Sequence, residues 1–226
     1  MKTAFVAGTV LLVAGMAAYR GAALAHVGAH AQVRYYGRRP SPDWIEFTGE
    51  RVGAPDVQEL CRRLEDREER DAILLMNEVH GHIGPLSVVG CKMGLRALDL
   101  LDAPHHGVRV ISEGGRTPPR GCITDGMMAA VGATLGHGQA EVSDGPYQPA
   151  GTFICEDRAV RLQVKHEIAA ALEDSVRAIL AQTGGTNSAA FWQRFRALGL
   201  RAWEAWDRRV LFEETWVPAS AVPEPR

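Results

Sequence analysis

The chain has 226 residues, of which 46% are hydrophobic and 23% charged, so it can bury the core of one substantial domain and has an ordinary globular composition. Its formal net charge is −2, and residues 1–25 contribute two basic side chains and no acidic one, so the remainder is more acidic still. This balance argues against a nucleic-acid partner, which is held mainly by basic side chains.

The first 25 residues have the pattern of an export signal. Lys2 precedes an apolar run over residues 4–18, and small residues ending in Ala23-Leu24-Ala25 follow. The pattern predicts an exported protein, either periplasmic with a cleaved leader or attached to the membrane by residues 1–25 as an anchor. Residues 26–55 are rich in turn formers and are predicted to be a linker or irregular arm.

Apolar spacing and turn residues divide the rest of the chain into helices and a few strands. Helices are predicted after Pro55, through Ile73 to Met76, from Pro85 to Leu101, from Cys122 to about Val131, from Val164 to Gln182 and from Ser188 to about Phe212. Strands are predicted over 107–113, 151–156 and 159–165. Together they predict an α+β fold: a single domain over residues 56–216 with a small sheet packed by helices, a helical C-terminal part, and a disordered tail over 217–226.

Two of the predicted helices carry a distinctive face. In the helix from Pro85, Gly90 and Gly94 form a small-residue face suited to close packing. Near the C-terminus, large apolar side chains follow a helical stripe: Phe191, Phe195, Leu198, Trp203, Trp206 and Val210. The stripe predicts core or dimer packing, and the alternatives are a face for a planar cofactor or for a membrane surface.

Two histidines flank a glycine at His80-Gly81-His82, just before the predicted helix start at Pro85. In an extended backbone the side chains at i and i+2 point to the same side, so we expect the two imidazoles to converge on one ligand. Imidazoles placed before a helix N-terminus favour a metal or anion site. The alternative is that each histidine is an ordinary core or surface residue.

Cys122 is the strongest candidate to join these histidines. It stands at a predicted helix N-terminus after Arg116 and Arg120, so we expect a lowered thiol pKa and a thiolate that binds metals or attacks electrophiles. Asp125 lies on the same helical face and is expected to reach whatever Cys122 contacts. The thiol and the two imidazoles suit a divalent transition metal, zinc above all, with a fourth position open to water or substrate. The alternative is a buried, inert cysteine with Asp125 as a local cap.

The remaining histidines and cysteines are weaker candidates. His105 and His106 are adjacent, and neighbouring side chains in a strand point to opposite faces, so the pair is not expected to serve one metal. His137 lies between glycines and either joins the site or is exposed. Three further cysteines complete the set of four: Cys61, Cys91 and Cys155. No Cys-x-x-Cys occurs, which excludes the usual zinc-ribbon and thioredoxin patterns and leaves disulfide pairing open.

Several motifs occur in a fixed order along the chain. They are His80-Gly81-His82-x-Gly84-Pro85, Gly90-x-x-Met93-Gly94, Cys122-x-x-Asp125-Gly126 and Gly132-x-Thr134-Leu135-Gly136-x-Gly138. In this order they resemble the FmdE-like family, which is named after a component of formylmethanofuran dehydrogenase, over roughly residues 60–215. The resemblance implies an α+β core, a homodimer, and a metal-binding or active pocket that contains His80, His82, Cys122 and Asp125.

The sequence also departs from that family. Many members have cysteines where Gly84 and Ala133 stand, and commonly a lysine where His137 stands. Without those thiols, dithiol redox chemistry is less expected here. Some members carry a C-terminal cysteine-rich zinc finger, which this sequence lacks, and an export signal is unexpected for a cytosolic protein of methanogenesis.

Two functions of different classes follow from these observations. The first is an exported protein that binds a metal or metallo-cofactor at this pocket and is accessory to a redox or one-carbon enzyme system, with a redox complex as partner. The second is a metal-dependent enzyme that acts on a small organic substrate, with Cys122 and Asp125 as catalytic residues. A third, a structural dimer whose pocket has decayed, is disfavoured because the His-Gly-His and Cys-x-x-Asp elements are intact.

Overall fold

The computed structural model describes residues 55–186 and 188–222. The helices in these ranges are α1 (Pro55–Arg63), α2 (Arg67–His80), α3 (Pro85–Leu101), α4 (Cys122–Val131), α5 (His166–Thr183) and α6 (Ala189–Ala205). The strands are β1 (Arg109–Ser112), β2 (Ala140–Val142), β3 (Ala150–Cys155), β4 (Arg158–Val164) and β5 (Phe212–Pro218), and short 3-10 turns lie at Leu135–His137 and Ala219–Ala221. The predicted α+β class is confirmed.

The strands form one mixed sheet in the order β2-β1-β3-β4-β5. β1 runs parallel to β2, and the other neighbours are antiparallel. Phe153 of β3 lies opposite Val110 of β1 and Val160 of β4, and all three side chains are buried. One face of the sheet therefore forms the core together with α3, whose Met93 and Leu101 are fully buried in the same cluster.

α3 and α4 cross at backbone contact. A Cβ placed on Gly90 would lie 2.1 Å from the carbonyl oxygen of Ile123, and one on Gly126 would lie 2.2 Å from that of Ser87. A Cβ on Gly94 would lie 2.7 Å from the Cβ of Ala130. The predicted close packing of the glycine face is therefore present, and it fixes α4 against the first half of α3.

The C-terminal prediction is wrong in detail. α6 ends at Ala205 instead of near Phe212, and residues 212–218 form β5, which pairs with β4. Residues 217–222, predicted to be disordered, complete that strand and form a 3-10 turn, while 223–226 lie outside the described residues. Tertiary pairing decides this segment, because Leu211 and Phe212 are buried in the core next to the end of β4.

The N-terminal predictions concern a part of the chain that the structure does not describe. The leader predicted over 1–25 and all but the last residue of the arm predicted over 26–55 lie outside the described residues. Within those described, no helix combines the length and the apolar character needed to cross a membrane.

Candidate metal centre

His80 is the last residue of α2, so the two histidines do not lie on the extended backbone that we expected. Gly81 adopts a left-handed conformation, with φ 78° and ψ −6°, and its N–H donates to the carbonyl of Asn77 at 3.0 Å. Glycine tolerates this conformation because it has no Cβ. The reversal of the chain at Gly81 brings the rings of His80 and His82 to a centroid distance of 4.3 Å.

The loop after His82 leads directly into α3. Gly84 caps the helix and Pro85 is its first residue, as the sequence predicts. The Ser87 hydroxyl accepts from the Gly84 N–H at 3.1 Å and donates to the Gly84 carbonyl at 2.9 Å. A Cβ on Gly84 would lie 2.7 Å from the ring of Phe195 and 3.4 Å from Nε2 of His82, so glycine leaves room for both rings here.

Cys122 is the first residue of α4 and completes a group of three metal-binding side chains. One donor atom each from His80, His82 and Cys122 lies within 4.8 Å of the others. The Cys122 residue is 8% exposed, and the side chain of His80 is 9% exposed. Two nitrogens and one sulfur at this spacing form a group that could hold a transition metal ion.

Asp125 contacts His80 and not the thiol of its own helix. Its Oδ2 lies 2.8 Å from Nδ1 of His80, while Nε2 of the same ring is buried without a hydrogen-bond partner. A carboxylate on Nδ1 favours the tautomer whose Nε2 carries a free lone pair. The buried Nε2 is therefore available as a donor to a cation, and the residues present fit a metal.

The thiol of Cys122 is not activated as predicted. Burial, and next the Asp125 carboxylate, raise the pKa of Cys122. Arg116 donates to Asp144 at 2.8 Å, and the guanidinium of Arg120 lies 4.5 Å above the Tyr147 ring. The expected lowering of the thiol pKa is therefore wrong, because neither arginine is directed at the sulfur.

Burial, and next the neighbouring His80, lower the pKa of His82. This direction favours the neutral imidazole, which is the form that binds metals. The ring of His82 is thus prepared as a donor by its surroundings.

Two clefts open beside the three donors. One, of about 220 Å³, is lined by His80, Cys122 and Asp125 among others. The other, of about 310 Å³, is lined by His82 and Trp192 among others. His82 therefore borders one cleft, and His80 and Cys122 border the other.

Trp192 was not among the residues that the sequence predicted for the site. It lies off the apolar stripe of Phe191 and Phe195, and a large aromatic residue outside a packing stripe is the signal that could have found it.

The other candidates lie outside this group. His105 and His106 pack against each other and against Gly132 at the end of α4, and His137 is exposed. All four cysteines are among the described residues and are free thiols.

The site and the fold define an α+β domain with a His-His-Cys group at the junction of α2, α3 and α4. The family model FmdE, described as molybdenum formylmethanofuran dehydrogenase operon, matches residues 79–212. The chain belongs to the FmdE family, as its motifs predict, and that description suggests a role related to formylmethanofuran dehydrogenase. No curated protein matches the chain.

Proposed function

We propose that the chain binds one divalent transition metal ion, zinc by preference, through His80, His82 and Cys122. The observation that carries the proposal is the approach of these three donors to within 4.8 Å of one another from separate elements. Nitrogen and thiolate ligands suit zinc, and three protein ligands leave one position for a further ligand. Asp125 positions His80 through Nδ1.

The role that we propose is accessory: the protein handles a metal or metallo-cofactor for a redox or one-carbon enzyme system. The family description, which names an operon of formylmethanofuran dehydrogenase, supports this class of role.

Metal analysis of the full chain tests the site. We expect about one zinc per purified wild-type chain, and loss of zinc in His82→Ala and in Cys122→Ser, because each change removes one of three ligands. His137→Ala, at an exposed histidine outside the group, is the matched control and should retain the metal. Zinc retained in both ligand variants, or absent from folded wild type, contradicts the proposal.

A second candidate function is a metal-dependent enzyme at the same site. The cleft of about 220 Å³ favours it, because His80, Cys122 and Asp125 together line this one open space. A bound zinc would supply a Lewis acid, and Asp125, whose side chain is half exposed, would orient water or substrate. Turnover of a small substrate that is lost in Cys122→Ser and kept in His137→Ala would distinguish this function from the accessory one.

Export and dimerisation belong to the same proposal. The pattern of residues 1–25 supports export to the periplasm, with a cleaved leader or a retained anchor, and the family resemblance supports a homodimer. Cell fractionation with N-terminal sequencing tests the first, and light scattering of the purified chain tests the second.

A further inference from the structure

Trp192 differs from the other large apolar residues of α6. Phe191, Phe195 and Trp203 are buried, whereas Trp192 is 49% exposed. Its indole is therefore not part of the core. An exposed tryptophan beside a metal-binding group has the character of a ligand contact.

Ring contacts hold this indole in place. Trp192 meets His82 edge-on at 5.5 Å between ring centroids and Phe195 edge-on at 6.0 Å. Phe195 in turn stacks on Phe191 at 5.3 Å. The indole is thus a preformed surface, and a ligand that binds to it does not have to order a mobile side chain.

The cleft between His82 and Trp192 has the size of a small-molecule site. Its volume is about 310 Å³, at the lower end of the range for ligand pockets. Gly81 forms part of its wall, and a Cβ on that residue would meet no atom within 4 Å, so the space beside the histidines is open. One or two fused rings fit this volume.

The charges of the cleft indicate which part of a ligand it receives. Among the described residues that line it, Arg196 is the only cation, and its guanidinium is bound to both carboxylate oxygens of Asp56 at 2.7 and 2.8 Å. The cleft therefore offers an aromatic surface without an available cation. A negatively charged or metal-coordinating group is better placed towards the His80, His82 and Cys122 donors.

We propose that this cleft binds a small ligand whose planar aromatic ring stacks on Trp192. The ligand's donor group points to the metal held by His80, His82 and Cys122. The proposal rests on the metal site of the proposed function and adds the class of ligand: a small aromatic molecule that carries a carboxylate or a similar donor. His82 links the two parts of the site, since it contributes one donor atom to the metal and its ring contacts the indole of Trp192.

Binding of 2-naphthoate to the zinc-loaded full chain tests this assignment, with cyclohexanecarboxylate as the non-planar probe that has the same donor. Calorimetry should show tighter binding of 2-naphthoate. Trp192→Ala should weaken the binding of 2-naphthoate about fivefold and that of cyclohexanecarboxylate far less, because an aromatic stack contributes about 1 kcal/mol. Trp192→Phe should retain most of the affinity. Trp216→Ala, which removes a similarly exposed tryptophan from β5, is the matched control and should change neither.

The outcomes separate failure of this inference from failure of the metal site. Zinc content is measured first, and a wild type without zinc overturns the proposed function and this inference together. With zinc bound, equal affinity for the two carboxylates, or an unchanged affinity of Trp192→Ala for 2-naphthoate, overturns the aromatic site alone. In cobalt-substituted protein, a change in the visible spectrum on adding 2-naphthoate supports a donor on the metal, and no change during saturable binding contradicts it.

Discussion

The imidazole of His105 is partly buried at the end of α4, where a Cβ on Gly132 would lie 2.5 Å from the ring. Burial, and next the neighbouring His106, lower the pKa of His105 from its ordinary value of 6.5 to about 4. The folded chain therefore keeps this ring neutral at pH values where the unfolded chain protonates it.

We expect the free energy of unfolding to fall as the pH drops from about 6.5 towards 4, since only the unfolded state takes up the proton there. At pH 5 this group alone should lower the free energy of unfolding by about 2 kcal/mol relative to pH 7.5. His105→Gln should remove that share of the acid sensitivity, as measured by urea denaturation at the two pH values. His137→Gln, at an exposed ring, should behave like wild type, and equal pH dependence of wild type and His105→Gln would contradict the prediction.

The crossing of α3 and α4 is the helix contact on which the group of His80, His82 and Cys122 depends, because α4 begins with Cys122 and α3 directly follows the loop of His82. The contact requires glycine at Gly126, since a Cβ there would meet the backbone carbonyl of Ser87 and the backbone nitrogen of Cys91, at 2.2 and 2.8 Å. Backbone atoms inside a helix cannot move aside as a flexible side chain does.

Gly126→Ala should therefore destabilise the protein by about 2 kcal/mol or more, and it should lower the zinc content of the protein that remains folded, as α4 moves away from α3. Urea denaturation and metal analysis measure the two effects. Gly136→Ala is the matched control, because no atom lies within 4 Å of its Cβ position and its backbone is not left-handed. Wild-type stability in Gly126→Ala would show that the helices are not in backbone contact.

For the molecule as a whole, local sequence patterns predict most of the helices, the central strands and the residues of the site. The starts of α3 and α4, the turn between β3 and β4 and the approach of Cys122 to the histidines follow from periodicity, from turn residues and from the ordered family motifs. Strands β2 and β5 were missed, because each is defined by a partner strand distant in the sequence. The contact of Asp125 with His80, and the directions of the two arginines, also depend on packing that sequence spacing does not contain.

Arg208 ties the segment before β5 to the N-terminal helices. Its side chain is bonded to Asp66, the cap of α2, at 2.7 Å, to Glu69 of α2 at 3.1 Å and to Asp99 of α3 at 2.8 Å. Oε2 of Glu69 also accepts a hydrogen bond from Nζ of the buried Lys92 at 2.6 Å. The buried Arg208 thus joins α2 and α3 to the segment that leads into β5, the strand that the sequence did not predict.

Arg208→Ala should lower the free energy of unfolding by about 3 kcal/mol, because it removes the cation shared by four carboxylates: Asp66, Glu69, Asp99 and, at 3.7 Å, Glu68. The partial exposure of Asp66 and Asp99 screens some of that repulsion and argues for the lower end of the range for broken buried pairs. Arg209→Ala is the matched control: the Arg209 side chain is 70% exposed and lies 3.9 Å from Asp207, so its loss should change the free energy of unfolding by less than about 0.5 kcal/mol. Urea denaturation of both variants measures the difference. Equal losses in the free energy of unfolding would mean that the ion pairs of Arg208 do not hold the C-terminal strand in place.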